Sequence, residues 1–178
     1  MEKNRQGLLH IYCGDGKGKT SAAVGMAVRA AGCGMKVLVI RFLKTENSGE
    51  VEVLRSIPGI TVPLCERTFG FVFRMTEEQK QEAALYYQSR FEAAAKEAVQ
   101  GQYDLLILDE ILASCNYGMV RETSVVEFLQ NRPEKLEVVL TGRNPSETFL
   151  ELADYVSEIC MRRHPYEKGI PARRGIEF

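Results

Sequence analysis

The densest chemistry in this chain lies in Cys13-Gly14-Asp15-Gly16-Lys17-Gly18-Lys19-Thr20-Ser21. Alternating glycines at 14, 16 and 18 free the backbone for turns in which successive N–H groups converge. Converging N–H groups attract an anion, and a helix starting near Thr20 adds its positive end. Lys19 supplies a full charge to phosphate oxygens, and the Thr20 hydroxyl can hold Mg2+. The segment from Gly14 to Thr20 therefore reads as a phosphate loop for a nucleoside triphosphate and magnesium. It departs from the general pattern at Cys13, which stands where glycine is usual. A second cluster supports the first. The apolar run Leu105 to Leu108 ends in Asp109-Glu110. Such a strand is expected beside the loop strand, bringing a carboxylate toward the metal, and Mg2+ prefers carboxylate and water oxygens.

Those residues need a frame. Leu8 to Cys13 is a short apolar run that reads as a buried strand, and Thr20 to Ala31 reads as a helix apolar nearly all round, hence buried. Gly32 and Gly34 stop that helix. Lys36 to Phe42, with the apolar run Val37 to Ile40 inside it, forms a second buried strand, Lys44 to Glu50 a polar loop, and Ile60 to Leu64 a short strand. Glu77 to Gln100 is the longest helix, with Thr76 and Gln79 placed for a capping box. Leu105 to Leu108 and Val138 to Leu140 are further core strands, with a helix from Glu122 to Gln130 between them. Pro145 opens another helix that ends near Asp154, Val156 to Met161 is a last strand, and Arg162 to Phe178 is irregular. Unbroken apolar strands alternating with helices predict an α/β fold, a mainly parallel sheet with helices on both faces.

The whole chain sets limits. Its 178 residues suit a single domain, 1–178, and 45% hydrophobic residues supply a core. A formal net charge of −1 favours neither nucleic acid nor a membrane surface as partner. No apolar run is long enough to span a membrane, and the polar start lacks the core of a signal peptide. A cytoplasmic protein is expected. The 5 cysteines (Cys13, Cys33, Cys65, Cys115, Cys160) form no C-x-x-C pair, and 2 histidines are too few for a histidine-rich metal centre. Reduced, mostly buried thiols are expected.

Further segments point to one family. They include Gly14 to Ala23, Phe42-Leu43-Lys44, Gly70-Phe71, Leu108-Asp109-Glu110, Val139 to Arg143 and Glu151 to Asp154. To these are added His164-Pro165-Tyr166-Glu167-Lys168-Gly169-Ile170 and the closing Gly175-Ile176-Glu177-Phe178. With these the chain, from Gly7 to Phe178, resembles the corrinoid adenosyltransferases of cobalamin synthesis, which look like RecA-type phosphate-loop proteins. The resemblance implies transfer of the adenosyl group of ATP to Co(I) of a corrinoid. Co(I) attacks C5′ and expels the whole triphosphate, so the loop must grip a leaving group. The nucleotide then lies in the opposite sense along the loop. The Cys13 departure fits, because the family is similar in lacking glycine there.

The resemblance also implies roles. Lys19 and Glu110 would be catalytic, with Glu110 and Thr20 holding Mg2+, for which Mn2+ can substitute. Gly14, Asp15, Gly16, Lys17, Gly18, Lys19, Thr20, Ser21 and Arg143 would bind ATP. Lys17 reads equally well as a solvated loop charge, and Arg143 as a surface ion pair. Asp109 is expected to order the strand end, with action through water the other reading. Arg143 follows Thr141-Gly142 at the strand edge where ligands gather. Arg29 lies about 13 Å along the helix from Thr20 and on its opposite side, so it is read as a paired structural arginine. In the segment Phe69-Gly70-Phe71-Val72-Phe73, Phe71 and Phe73 would approach the lower face of the corrin ring. Displacing the lower ligand of Co(II) makes its reduction feasible for a flavin or flavoprotein. The second of these positions is often tryptophan in the family, and the chain has none. Phe69 is assigned to the core. A homodimer is also implied. Relatives with a longer N-terminal segment cover the corrinoid with it; here a cover would come from the partner subunit or the Lys44–Glu50 loop. Arg41 stands where a neutral polar residue is expected, and would tune ligand contacts or pair with an acid. Another phosphate-loop ATPase or kinase, and a non-catalytic corrinoid or nucleotide carrier, are the rival readings.

Overall fold

A computed structural model of the chain describes residues 6–70 and 72–177. Leu9–Cys13 (β1) runs into the glycine turn and then Lys19–Gly32 (α1). Val37–Arg41 (β2), Glu50–Ser56 (α2) and the short Ile60–Thr61 (β3) follow. A 3-10 turn at Val72–Arg74 leads into Glu77–Gln100 (α3). Then come Leu105–Asp109 (β4), Ile111–Asn116 (α4) and Glu122–Asn131 (α5). Glu137–Thr141 (β5), Glu147–Leu152 (α6) and Tyr155–Glu158 (β6) complete the alternation.

The strands form one sheet in the order β3-β2-β4-β5-β1-β6, and every pairing is parallel. Successive strand residues face opposite sides, so the sheet carries two cores. On one side, Val37, Val39, Leu105, Ile107 and Val139 pack on Ala23, Ala27 and Ala30 of α1 and Val51 and Leu54 of α2. On the other, Leu38, Ile40, Leu106, Leu108, Val138 and Leu140 meet α3, α5 and α6 through Tyr87, Phe91, Val125, Leu129 and Phe149. This is the α/β architecture expected from unbroken apolar strands. The start of α3 carries the expected box: the Gln79 N–H donates to Thr76 Oγ1 (3.2 Å) and the Thr76 N–H to Gln79 Oε1 (2.9 Å).

Several expectations need correction. The acid-bearing β4 does not lie beside β1, because β5 is inserted between them. Two strand spacings, roughly 10 Å, therefore separate the loop strand from the acid strand. Helix α1 is not buried all round: Ala22, Gly25, Val28 and Arg29 are exposed. Its apolar back is mostly alanine, too small to require a second layer of cover. Arg29 has no ion pair among the described residues, so it is a solvated charge rather than a paired one. The last strand is shorter than expected and exposed throughout. All cysteines are free as expected, but Cys13 alone is buried, while Cys33 and Cys160 are exposed.

Candidate functional site

The glycine turn owes its shape to a segment far away in sequence. Gly14 has φ 101° and Gly18 φ 130°, values that side chains resist. A Cβ at Gly16 would stand 2.6 Å from the Ile159 carbonyl oxygen, and one at Gly14 2.5 Å from it. The Gly16 N–H donates to that carbonyl at 2.7 Å. The Asp15 carboxylate accepts the Met161 N–H at 2.8 Å, which holds its carboxyl below the usual range. The chain leaving β6 thus clamps the turn, and only glycine fits beneath it.

Lys19, the first residue of α1, is buried and folds back over the turn. Its Nζ donates to the carbonyls of Gly14 (2.7 Å) and Gly16 (2.9 Å). Burial lowers its pKa, and the nearby Glu110 carboxylate opposes that shift. Lys17 is half exposed and lies 3.6 Å from Glu177 of the tail.

Thr20 opens a network that crosses the sheet. Its hydroxyl donates to Asp109 Oδ1 at 3.0 Å. Thr141, at the end of the inserted β5, donates to the same oxygen at 2.6 Å and accepts the Glu110 N–H at 2.9 Å. Thr20 thus spans the gap from α1 to β4 directly, while Thr141 of the intervening strand ties the Asp109 carboxylate to the Glu110 backbone. Asp109 is 2% exposed and belongs to the site, not merely to the strand end. Lys44, from the loop after β2, completes the cluster. Its Nζ donates to Thr20 Oγ1 at 2.8 Å and directly to Asp109 Oδ2. Sequence reasoning gave Lys44 no role in the site. The one local signal was its place just past an apolar strand, and its target became visible only with the Arg41↔Asp109 register.

Glu110 takes a left-handed conformation, φ 63°, between β4 and α4. That bend turns it toward the cleft that it lines. Burial raises its pKa, and repulsion from Asp109 adds to the rise. Arg143 is exposed, and its guanidinium lies 3.5 Å from the Asp15 carbonyl. Gly142, with φ 146°, lets this corner pass Leu112, whose Cβ would stand 2.7 Å from an added methyl. Asp15 through Ser21, Lys44, Glu110, Arg143, His164 and Gly175 to Glu177 line one cleft of about 720 Å3. Gly14 lies just behind it, under Ile159. A cleft of that size suits a ligand as large as a nucleotide.

Thr20 Oγ1 and the Asp109 oxygens converge on a cationic Nζ, so the donor set fits a cation. Among the described residues, no group of three or more His, Cys, Asp or Glu could hold a metal ion. An ion at Thr20 would take its remaining oxygens from phosphate and water.

Of the two expected aromatic residues, no described one lines this cleft. Phe71 is outside the described residues. Phe73 is 77% exposed, with the Arg74 guanidinium 5.6 Å from its ring centre. Phe69 packs on Tyr86 and Tyr87 at 5.6 Å and 5.8 Å, as a core residue should. Arg41 resolves as a partner for an acid: it is buried, pairs with Glu46 at 2.7 Å and donates to the Thr45 carbonyl at 3.0 Å.

A parallel sheet with a glycine turn clamped at its carboxyl edge, a buried lysine and a Thr–Asp pair defines a phosphate-loop protein. The family described as "ATP:corrinoid adenosyltransferase BtuR/CobO/CobP" matches residues 5–178, and the chain belongs to that family. Similar relatives are named corrinoid adenosyltransferase. That of Pseudomonas aeruginosa is 32% identical over 177 residues, 99% of this chain and 86% of the relative. That of Sinorhizobium sp is 33% identical over 178 residues, covering 98% of this chain and 82% of the relative. That of Escherichia coli strain K12 is 32% identical over 177 residues, 99% and 88% of the two chains.

Proposed function

We propose that the cleft holds the triphosphate of ATP as a leaving group while Co(I) of a reduced corrinoid attacks C5′. ATP:corrinoid adenosyl transfer is the activity that the family carries. The observation that supports this use of the cleft is its set of cations: Lys17, Lys19, Lys44 and Arg143 line a single space. A grip on a whole triphosphate needs charge spread along its length, since negative charge grows on it as the C5′–O bond breaks. Lys19 and the N–H groups of the turn would hold one end of the leaving group. Lys17 and Arg143, both exposed at the rim, would hold the other.

Mg2+, replaceable by Mn2+, would bind to Thr20 with Glu110 or Asp109 and neutralise further charge on the departing triphosphate. Burial and the Asp109 charge raise the pKa of Glu110, and a cation beside it would favour its charged form. Phe71 and Phe73 would form the apolar wedge below the corrin ring; the Phe73 ring is 77% exposed. A flavin or flavoprotein reductant and a homodimer belong to the same reading and rest on the resemblance; a cytoplasmic location is proposed with them from the sequence. No helix among the described residues is long and apolar enough to cross a membrane.

The test is anaerobic incubation with ATP, Mg2+ and chemically reduced cobalamin. A light-sensitive adenosylated product and intact triphosphate are expected in equal amounts. Release of orthophosphate without adenosylation would overturn the reading in favour of an ordinary ATPase.

A further inference from the structure

Lys44 contacts the site differently from the other cations of the cleft. Lys19 is spent on loop carbonyls, Lys17 leans on Glu177, and Arg143 reaches a backbone oxygen. Lys44 instead occupies the side-chain oxygens of Thr20 and Asp109, the donors best suited to a metal ion. An ion bound to the Thr20 hydroxyl at an ordinary metal–oxygen distance of about 2 Å would lie within about 5 Å of that ammonium. Two positive centres so close, sharing one hydroxyl and one carboxylate, repel each other.

We propose that Lys44 and the divalent ion are alternative occupants of the Thr20–Asp109 seat, and that the arriving triphosphate draws Lys44 away as the metal enters. The proposal rests on the reading of the cleft as the triphosphate site. The surroundings of Lys44 suit such a hand-over. Its backbone is fixed: the Phe42 N–H donates to the Asp109 carbonyl at 2.9 Å, and Arg41 grips Thr45 and Glu46. Its side chain is 22% exposed and lines the cleft. A four-carbon stem can swing between two positions without the backbone moving. Nothing comparable is open to Lys19, whose ammonium is enclosed by the turn. In the nucleotide-free protein the ammonium neutralises Asp109 and keeps the Thr20 hydroxyl aimed at it. With triphosphate present, the ammonium gains phosphate oxygens and the seat is released. Metal and triphosphate then favour each other's binding, beyond any direct bond between them.

The probe is Mn2+, read by the electron paramagnetic resonance amplitude of the free ion, with nucleotide-free protein. Lys44→Met and Lys44→Gln are expected to bind Mn2+ on the order of tenfold more tightly than the wild type. Lys44→Arg, which keeps the charge, should bind it as weakly as the wild type. Adding Asp109→Asn to Lys44→Met should abolish the gain. Circular dichroism confirms that each variant is folded, and two neutral variants guard against one failing. Separately, calorimetry with inorganic tripolyphosphate in the presence of chelator should show several-fold weaker binding by Lys44→Met. Neutral variants that bind Mn2+ no better than the wild type would overturn the proposal. A wild type that ignores tripolyphosphate, with the gain in Mn2+ affinity intact, would overturn the reading of the cleft and leave the exclusion standing.

Discussion

Lys19 and Glu110 are both shifted toward their neutral forms by burial, and each opposes the shift of the other. Groups shifted by burial and by each other inside a cleft are candidates for contact with a charged ligand. Lys19→Ala should lower kcat/KM for ATP by roughly a hundredfold or more with preformed Co(I). Lys19→Arg should not restore it, since the niche formed by the Gly14 and Gly16 carbonyls fits a compact ammonium. Steady-state kinetics checks both. Phe73 calls for a different readout. If it acts as a wedge, Phe73→Ala should lose activity when Co(II) is supplied with a flavin reductant, yet retain most of it with preformed Co(I). Equal rates from both cobalt states would remove Phe73 from the reduction step.

At the scale of elements, the loop after β2 is held by charge. The Arg41 guanidinium, 1% exposed, pairs with Glu46, which also pairs with Arg55 of α2 at 2.7 Å and accepts the Cys65 N–H at 2.8 Å. Burial pushes the Glu46 carboxyl up, but the Cys65 N–H and the two arginines outweigh it and hold it at about 2, below an ordinary 4.5. A carboxyl depressed in the folded state stabilises the fold above its unfolded pKa, and that contribution is lost as pH falls from 4.5 toward 2. Glu46→Gln should therefore lower Tm at pH 7 by several degrees. The gap should begin to narrow below pH 4.5 and close as pH approaches 2, and thermal scans across that range measure it. The same elements show what a sequence can disclose. Strands β2 and β4 were legible because four apolar residues in a row have one common fate, a sheet covered on both faces. The glycine turn and the Thr76–Gln79 box were legible because their chemistry is local. The place of β5 between β1 and β4 was not, since strand order depends on which faces pack together across the whole chain. The roles of Lys44 and Asp109 were hidden for the same reason: their partners lie 24 to 89 residues away. Helix α2 went unseen because its 7 residues, about two turns, bury only Val51 and Leu54, too few to set a period.

At the scale of the molecule, the C-terminal segment builds one wall of the cleft. His164, Gly175, Ile176 and Glu177 line it, and Arg173 fastens Glu177 at 3.0 Å. Among the described residues, no hydrogen bond joins 162–177 to a strand of the sheet or a helix packed on it, so residues 162–178 should be removable without unfolding the protein. Their removal should weaken ATP binding roughly tenfold, in line with the loss of one partly enclosing wall. Equilibrium binding of ATP together with circular dichroism separates that result from simple unfolding.

The clamp on the glycine turn has a consequence in time. Strand β1 is made first, but its neighbours β5 and β6 are made late, and the Ile159 carbonyl that seats Gly16 later still. A chain growing from its N-terminus therefore emerges from the ribosome with the turn unformed and the central slot of its sheet unfilled. Capture of nucleotide would arise only once Ile159 is in place, so a chain terminated before that residue would be unable to sequester ATP.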